Sequence, residues 1–97
     1  MEFEWDERKN RMNIRKHGLD FSDAEQMFRG LVLIRPDTRE DYGEDRWIGL
    51  GVIHLRTVAV VFTVPAPHTI CIISLRKADH EEREDYEEAI QDGLEAN

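Results

Sequence analysis

Cysteine is almost missing from this chain of 97 residues, with Cys71 the sole example. One thiol excludes an internal disulfide, and it excludes a thiolate metal cluster built within a single chain. Long apolar runs are missing too. The longest, Val58 to Phe62, falls far short of the length needed to cross a bilayer. The opening "MEFEWDERK" carries acids where a secretory leader needs bases and an apolar stretch. These absences predict a cytoplasmic protein with no membrane contact. There is no internal repeat, low-complexity tract or linker, so a single domain over residues 1–97 is expected. A chain this short buries only about two-thirds of its unfolded surface, and the thin core that follows suits a stable partner or a dimer. No glycine-rich phosphate loop, zinc-ligand spacing or Ser-His-Asp pattern is present. His54, His68 and His80 are scattered in or beside turns, so neither a metal nor a cofactor is expected.

What is abundant is charge, and its distribution is uneven. The formal net charge of −8 argues against a polyanion partner when taken as a whole. From Asp79 onward, however, nine acids face one base, Arg83, whereas residues 1–78 hold twelve of each. Within that neutral part, Arg8 through Leu19 carries five bases and no acid. The pattern is a neutral body with one basic face and an acidic tail.

The order of elements predicts an α+β fold. Asp6 can cap a first helix of about ten residues ended by Gly18, which tolerates the left-handed conformation that follows a helix. Ser22 and Glu25 have capping-box spacing and predict a short second helix with Ala24, Met27 and Phe28 facing a core, stopped at Gly30. Four β-branched runs follow, at 31–35, 46–53, 57–64 and 69–75, and their short connections predict an antiparallel meander. The turn "HLR" at 54–56 lacks the usual Asn or Gly. A last helix over about 79–95 opens with Asp79 and Glu82 at capping-box spacing, and Tyr86, Ala89, Ile90 and Leu94 mark its buried stripe. The whole reads as two N-terminal helices, a four-stranded antiparallel sheet and a C-terminal helix.

Three constellations carry chemistry. On the first helix, Lys9, Asn13 and Lys16 share one face by their spacing, and Arg8, Arg11 and Arg15 share another. Arg15, Lys16 and His17 crowd its C-terminal end, where cations also complement the helix dipole, so helix termination and anion binding both explain them. In "SLRKADHEERED", Arg76 and Lys77 leave the end of the last strand just before the acidic helix begins. Arg76 either neutralises nearby acids or faces an anion. Arg83 either pairs at i±4 with Asp79 or Glu87 or joins the same site. The loop "DTREDYGEDR" offers Arg39, Tyr42 and Arg46, which serve either a solvated turn or a binding loop on a scaffold.

Three segments in order, "FEWDERKNRMNIRKHGLDF", "DYGEDRWIGLG" and "IISLRKADHEERE" with Tyr86, resemble the BrnT toxins of BrnT/BrnA toxin–antitoxin modules over roughly residues 3–90. The resemblance implies a RelE-like fold and an endoribonuclease that cleaves RNA without a metal and halts translation. It implies a BrnA-type antitoxin with a ribbon-helix-helix part as partner, so that DNA is contacted only indirectly, through the antitoxin. Such cleavage uses the ribose 2′-hydroxyl as nucleophile and needs a proton acceptor, a proton donor and cations around the phosphate. On that basis Lys16, His17, Arg76 and Arg83 are the catalytic candidates, with His17 able to take either proton role near neutrality. Arg8, Arg11, Arg15, Arg39, Tyr42 and Arg46 are the candidates for gripping RNA. The alternative is a catalytically weak binding partner or corepressor on the same fold, since an acidic final helix repels a phosphate backbone.

Overall fold

The computed structural model describes residues 1–95, with side chains through residue 93. In chain order it contains β1 (Glu2–Trp5), α1 (Glu7–His17), a 3₁₀ turn (Phe21–Asp23), α2 (Ala24–Met27), β2 (Leu33–Pro36), β3 (Trp47–Ile53), β4 (Arg56–Ala66), β5 (Thr69–Lys77) and α3 (His80–Glu95). Strands β2 to β5 form the antiparallel meander that the sequence predicts. The sheet is nevertheless five-stranded and mixed, in the order β1-β5-β4-β3-β2, because β1 adds a parallel edge to β5. This corrects the four-stranded, wholly antiparallel expectation. β1 is only four residues long and pairs with a strand more than sixty residues away, so no local signal marks it. Its period of two is present in retrospect: Phe3 and Trp5 turn to the core while Glu2 and Glu4 turn out.

The central strand β4 is buried on both faces, which is why Val58 to Phe62 is uninterruptedly apolar. Val58, Val60 and Phe62 meet Phe21, Ala24 and Met27 on one side. Ala59 and Val61 meet Tyr86 and Ile90 of α3 on the other. The approach of α2 to β3 is close: a Cβ on Gly51 would lie 2.6 Å from Met27 Cγ, so only glycine fits there without moving Met27.

Caps follow the sequence in two helices out of three. The Asp6 carboxylate accepts from the Arg8 and Lys9 amides, and Gly18 takes φ 70° after α1. At α3 both arms of the capping box close, Glu82 N–H to Asp79 Oδ1 at 2.8 Å and Asp79 N–H to Glu82 Oε1 at 2.9 Å. The box expected at Ser22 and Glu25 does not form. Asp20 caps the 3₁₀ turn instead, accepting from the Ser22 amide, and α2 starts without a side-chain cap. Asn10 explains the shift, because it donates to Asp20 and accepts from the Phe21 amide, drawing the turn one step earlier. Strand β4 runs on to Ala66 through Pro65, which is tolerated where the pairing register slips between Thr63 and Ala66. Leu94, expected in the buried stripe, has its side chain outside the described residues.

The contact that places α1 is made by Asn13. β1 covers the edge of β5 only as far as Ile72. Beyond it, the Asn13 amide accepts from Leu75 N–H at 3.1 Å and donates to Leu75 C=O at 2.8 Å, standing in for the peptide group of a neighbouring strand. It also donates to Leu19 C=O at 2.9 Å. Asn13 is therefore buried and structural, at the base of the face of α1 that it shares with Lys9 and Lys16.

Asn13→Ala leaves buried donors and acceptors on Leu75 and Leu19 unpaired. Urea unfolding is expected to show a loss of about 2–4 kcal/mol with an unchanged m-value.

Candidate functional site

Helix α1 ends with Arg15, Lys16 and His17 because its last carbonyls present the negative end of the dipole, and the Gly18 amide closes onto Ile14 C=O at 2.8 Å. The Asn13 pin lays this basic end along the edge of β5. A concavity of about 480 Å³ results. Lys9, Arg15, Lys16 and His17 form one wall, and Ile73 and Ser74 of β5 form the other. Lys16 and His17 have no side-chain hydrogen bond or ion pair among the described residues.

Arg76 stands two residues beyond Ser74 on β5. Its guanidinium reaches Glu82 of α3 through two bonds, Nη1 to Oε1 at 2.6 Å and Nη2 to Oε2 at 3.0 Å. Glu82 thus serves two partners, the N-terminus of α3 and Arg76. Burial pushes its carboxyl up, but Arg76 and the Asp79 amide outweigh that and hold it below the ordinary range. The same contact with Glu82 holds Arg76 more firmly protonated, against burial and against the nearby charge of Arg39. The His17 imidazole feels burial first, then Lys16, then Arg76, and all three lower its proton affinity. Burial and the two cations thus disfavour the imidazolium, which suits His17 to accept a proton.

The structure thus sets Arg15, Lys16 and His17 on one wall of the concavity, and the charge of Arg76, from the other end of the chain, bears on His17 from beyond Ser74. Arg8 and Arg11 are exposed on α1 outside the lining of this concavity. Arg83 is apart from it. It pairs with neither Asp79 nor Glu87 but donates to Ala78 C=O at 3.1 Å, in a separate concavity. Glu82 escaped the sequence reading as a site residue. Its spacing from Asp79 announced the cap, while its grip on Arg76 depends on how α3 packs.

The loop 37–46 forms a larger concavity of about 700 Å³, but its cations are engaged internally. Arg39 forks onto the buried Asp37 carboxylate with two contacts of 2.8 Å. This pair, with the Arg39 backbone amide, outweighs burial and brings Asp37 down to about 2. Arg46 lies 4.0 Å over the Tyr42 ring, so one face of that ring is already covered. Arg46 Nε is buried without a hydrogen-bond partner, its 3.6 Å approach to Glu44 being an ion pair too long for a hydrogen bond. The charge of Arg39 bears on Arg76, while its guanidinium stays on Asp37. Among the described residues no group of His, Cys, Asp and Glu is arranged to hold a metal, and no helix is long and apolar enough to cross a membrane.

The family model described as the ribonuclease toxin BrnT of type II toxin–antitoxin systems matches residues 5–82. The crystal structure of the Brucella abortus ribonuclease toxin BrnT is similar with a TM-score of 0.67 and 32% identity, covering 82% of this chain and 99% of that one. The curated proteins contain no match.

Two measurements probe these electrostatics. An NMR titration of His17 is expected to give a midpoint below 6.5, moving upward in Lys16→Ala and again in Arg76→Ala as each repelling charge is removed. For Asp37, a depressed folded pKa means stability that is present above the ordinary 3.8 and is lost as pH falls through about 2. Because Arg39 is more than half exposed, Asp37→Asn is expected to cost only about 1–2 kcal/mol at pH 7. Denaturation of the two proteins should converge as the pH approaches 2.

Proposed function

The chain belongs to the BrnT family of ribonuclease toxins of type II toxin–antitoxin systems, and from that premise we propose that it is itself a metal-independent endoribonuclease. It cleaves RNA in the cytoplasm, inhibits translation, and is neutralised by a BrnA-type antitoxin whose ribbon-helix-helix part contacts DNA on behalf of the pair. The observation that carries this reading is the convergence of Lys16 and Arg76 on a His17 whose imidazolium is disfavoured, on a RelE-like α+β fold.

The chemistry follows from those groups. The ribose 2′-hydroxyl gives its proton to the neutral His17 imidazole as the O2′–P bond forms. The P–O5′ bond breaks, the O5′ leaving group takes up a proton from water, and the products are a 2′,3′-cyclic phosphate and a 5′-hydroxyl. Lys16 and Arg76 stabilise the extra negative charge on phosphorus in the transition state. The phosphate is itself an anion and raises the proton affinity of His17 on binding, so the imidazole becomes a stronger base once substrate is seated. Arg15 and the outward N–H groups of Arg39 hold the flanking backbone.

A second reading, a catalytically weak partner of the antitoxin, is favoured by one observation. Both outer nitrogens of Arg76 are committed to Glu82, and a phosphate must compete for them.

Induction of the protein without its antitoxin separates the two. The expected outcome is growth arrest with RNA decay, and purified protein carrying Lys16→Ala and Arg76→Ala is expected to cleave RNA at least about 100-fold more slowly. Normal growth and intact RNA, with tight antitoxin binding retained, would leave the adaptor reading standing.

A further inference from the structure

A second concavity, of about 390 Å³, opens where β5 ends and the β3–β4 hairpin turns. We infer that it is a second RNA subsite, taking phosphates and an unstacked base of the same strand beside the cleaved position; this rests on the RNA-cleaving reading above. Arg56, Lys77 and Arg83 line it, with Glu87 the one carboxylate among the lining residues. None of the three cations is ion-paired among the described residues, and Arg83 uses only Nη1, on Ala78 C=O. In a chain of net charge −8, three unpaired cations against one acid make a local field of the sign that holds a phosphate backbone.

The hairpin tip supplies the second observation. Ile53 pairs with Arg56, so His54 and Leu55 are a two-residue turn, and both are left-handed, at φ 49° and 67°. Such turns are ordinarily built from Asn-Gly, because Cβ crowds the backbone carbonyl in the left-handed conformation, a cost that Gly avoids and Asn offsets by local hydrogen bonding. Here the strained position carries a leucine that is 99% exposed, directly beside the three cations. An apolar side chain surrounded by phosphate-binding groups is the arrangement that receives the face of an unstacked base.

Placement joins the two sites. Arg76 and Lys77 are consecutive on β5. Arg76 acts on His17, and Lys77 lines the second concavity. Consecutive residues of a strand face opposite sides of the sheet, so an RNA that reaches from Arg76 to Arg56 and Arg83 has to wrap around the end of β5, where Arg76 pairs with Ala59 and Lys77 with Val58. Arg83 contributes to RNA binding from here, outside the catalytic cluster.

The test is equilibrium binding of non-cleavable 2′-O-methyl RNA, one probe a trinucleotide and one several-fold longer, to the full chain at a series of salt concentrations. With Arg56→Ala and Arg83→Ala combined, affinity for the long strand is expected to fall about tenfold or more, and the slope of log K against log salt to shrink by about 1.4. Trinucleotide binding should be unchanged. Leu55→Gly separates recognition from folding: glycine relieves the turn, so the thermal midpoint should hold or rise while long-strand affinity drops. Unchanged long-strand binding in both variants, with loss in Lys16→Ala/Arg76→Ala, overturns the second subsite and leaves the cleavage groove intact. Variants that lose affinity for the antitoxin but not for RNA assign the concavity to the protein partner and also overturn it. If the native chain binds neither probe, the RNA reading itself falls, and the subsite with it.

Discussion

One side-chain amide sets the geometry of the groove between α1 and β5. Asn13 occupies the edge of β5 where β1 stops, satisfying both backbone groups of Leu75 as a strand would. A buried edge with an unpaired N–H and C=O is costly, and a helix has no backbone donors to offer sideways, so a carboxamide on the helix is the economical solution. Its consequence is positional. With Asn13 fixed on Leu75, Lys16 and His17, one turn further along α1, come to lie beside Ile73, Ser74 and Arg76.

The other half of the groove is set by α3 through Glu82. Its carboxylate closes the helix N-terminus and forks onto Arg76 in one stroke, so the start of the helix and the orientation of the guanidinium are coupled. That coupling reconciles the acidic helix with a polyanion substrate. The one acid of its first turn that faces the site is neutralised by Arg76, while Tyr86 and Ile90 turn the helix onto the sheet, and Glu84, Glu87 and Glu88 remain exposed. Net charge is a poor guide for a molecule of this kind. The field near His17 is made by a few residues within reach of it, and solvent screens the distant carboxylates.

Three parts of the chain lend different degrees of rigidity to the proposed RNA path. The middle of β4, buried on both faces and paired along β5, is the stiff floor. The 37–46 loop has little apolar packing but is locked by Arg39 on Asp37 and Arg46 over Tyr42, so its cations hold the loop before they hold anything else. The β3–β4 tip retains strain at two consecutive non-glycine positions, at the edge of the proposed second subsite.

Much of this was written locally. Periodicity and caps gave both main helices, four of the five strands and the basic end of α1, because hydrogen bonds within a helix and alternation along a strand depend on near neighbours. The resemblance of three segments to BrnT was legible for the same reason. What no window of sequence contained was β1, whose partner lies at the other end of the chain, or the displacement of the Ser22 cap by Asp20, which Asn10 controls. The meeting of Lys16, His17 and Arg76, the grip of Glu82 and the separation of Arg83 into another concavity were decided only by tertiary packing. Charged side chains at a surface have no periodicity of their own, and their positions are inherited from the buried groups that fix the backbone beneath them.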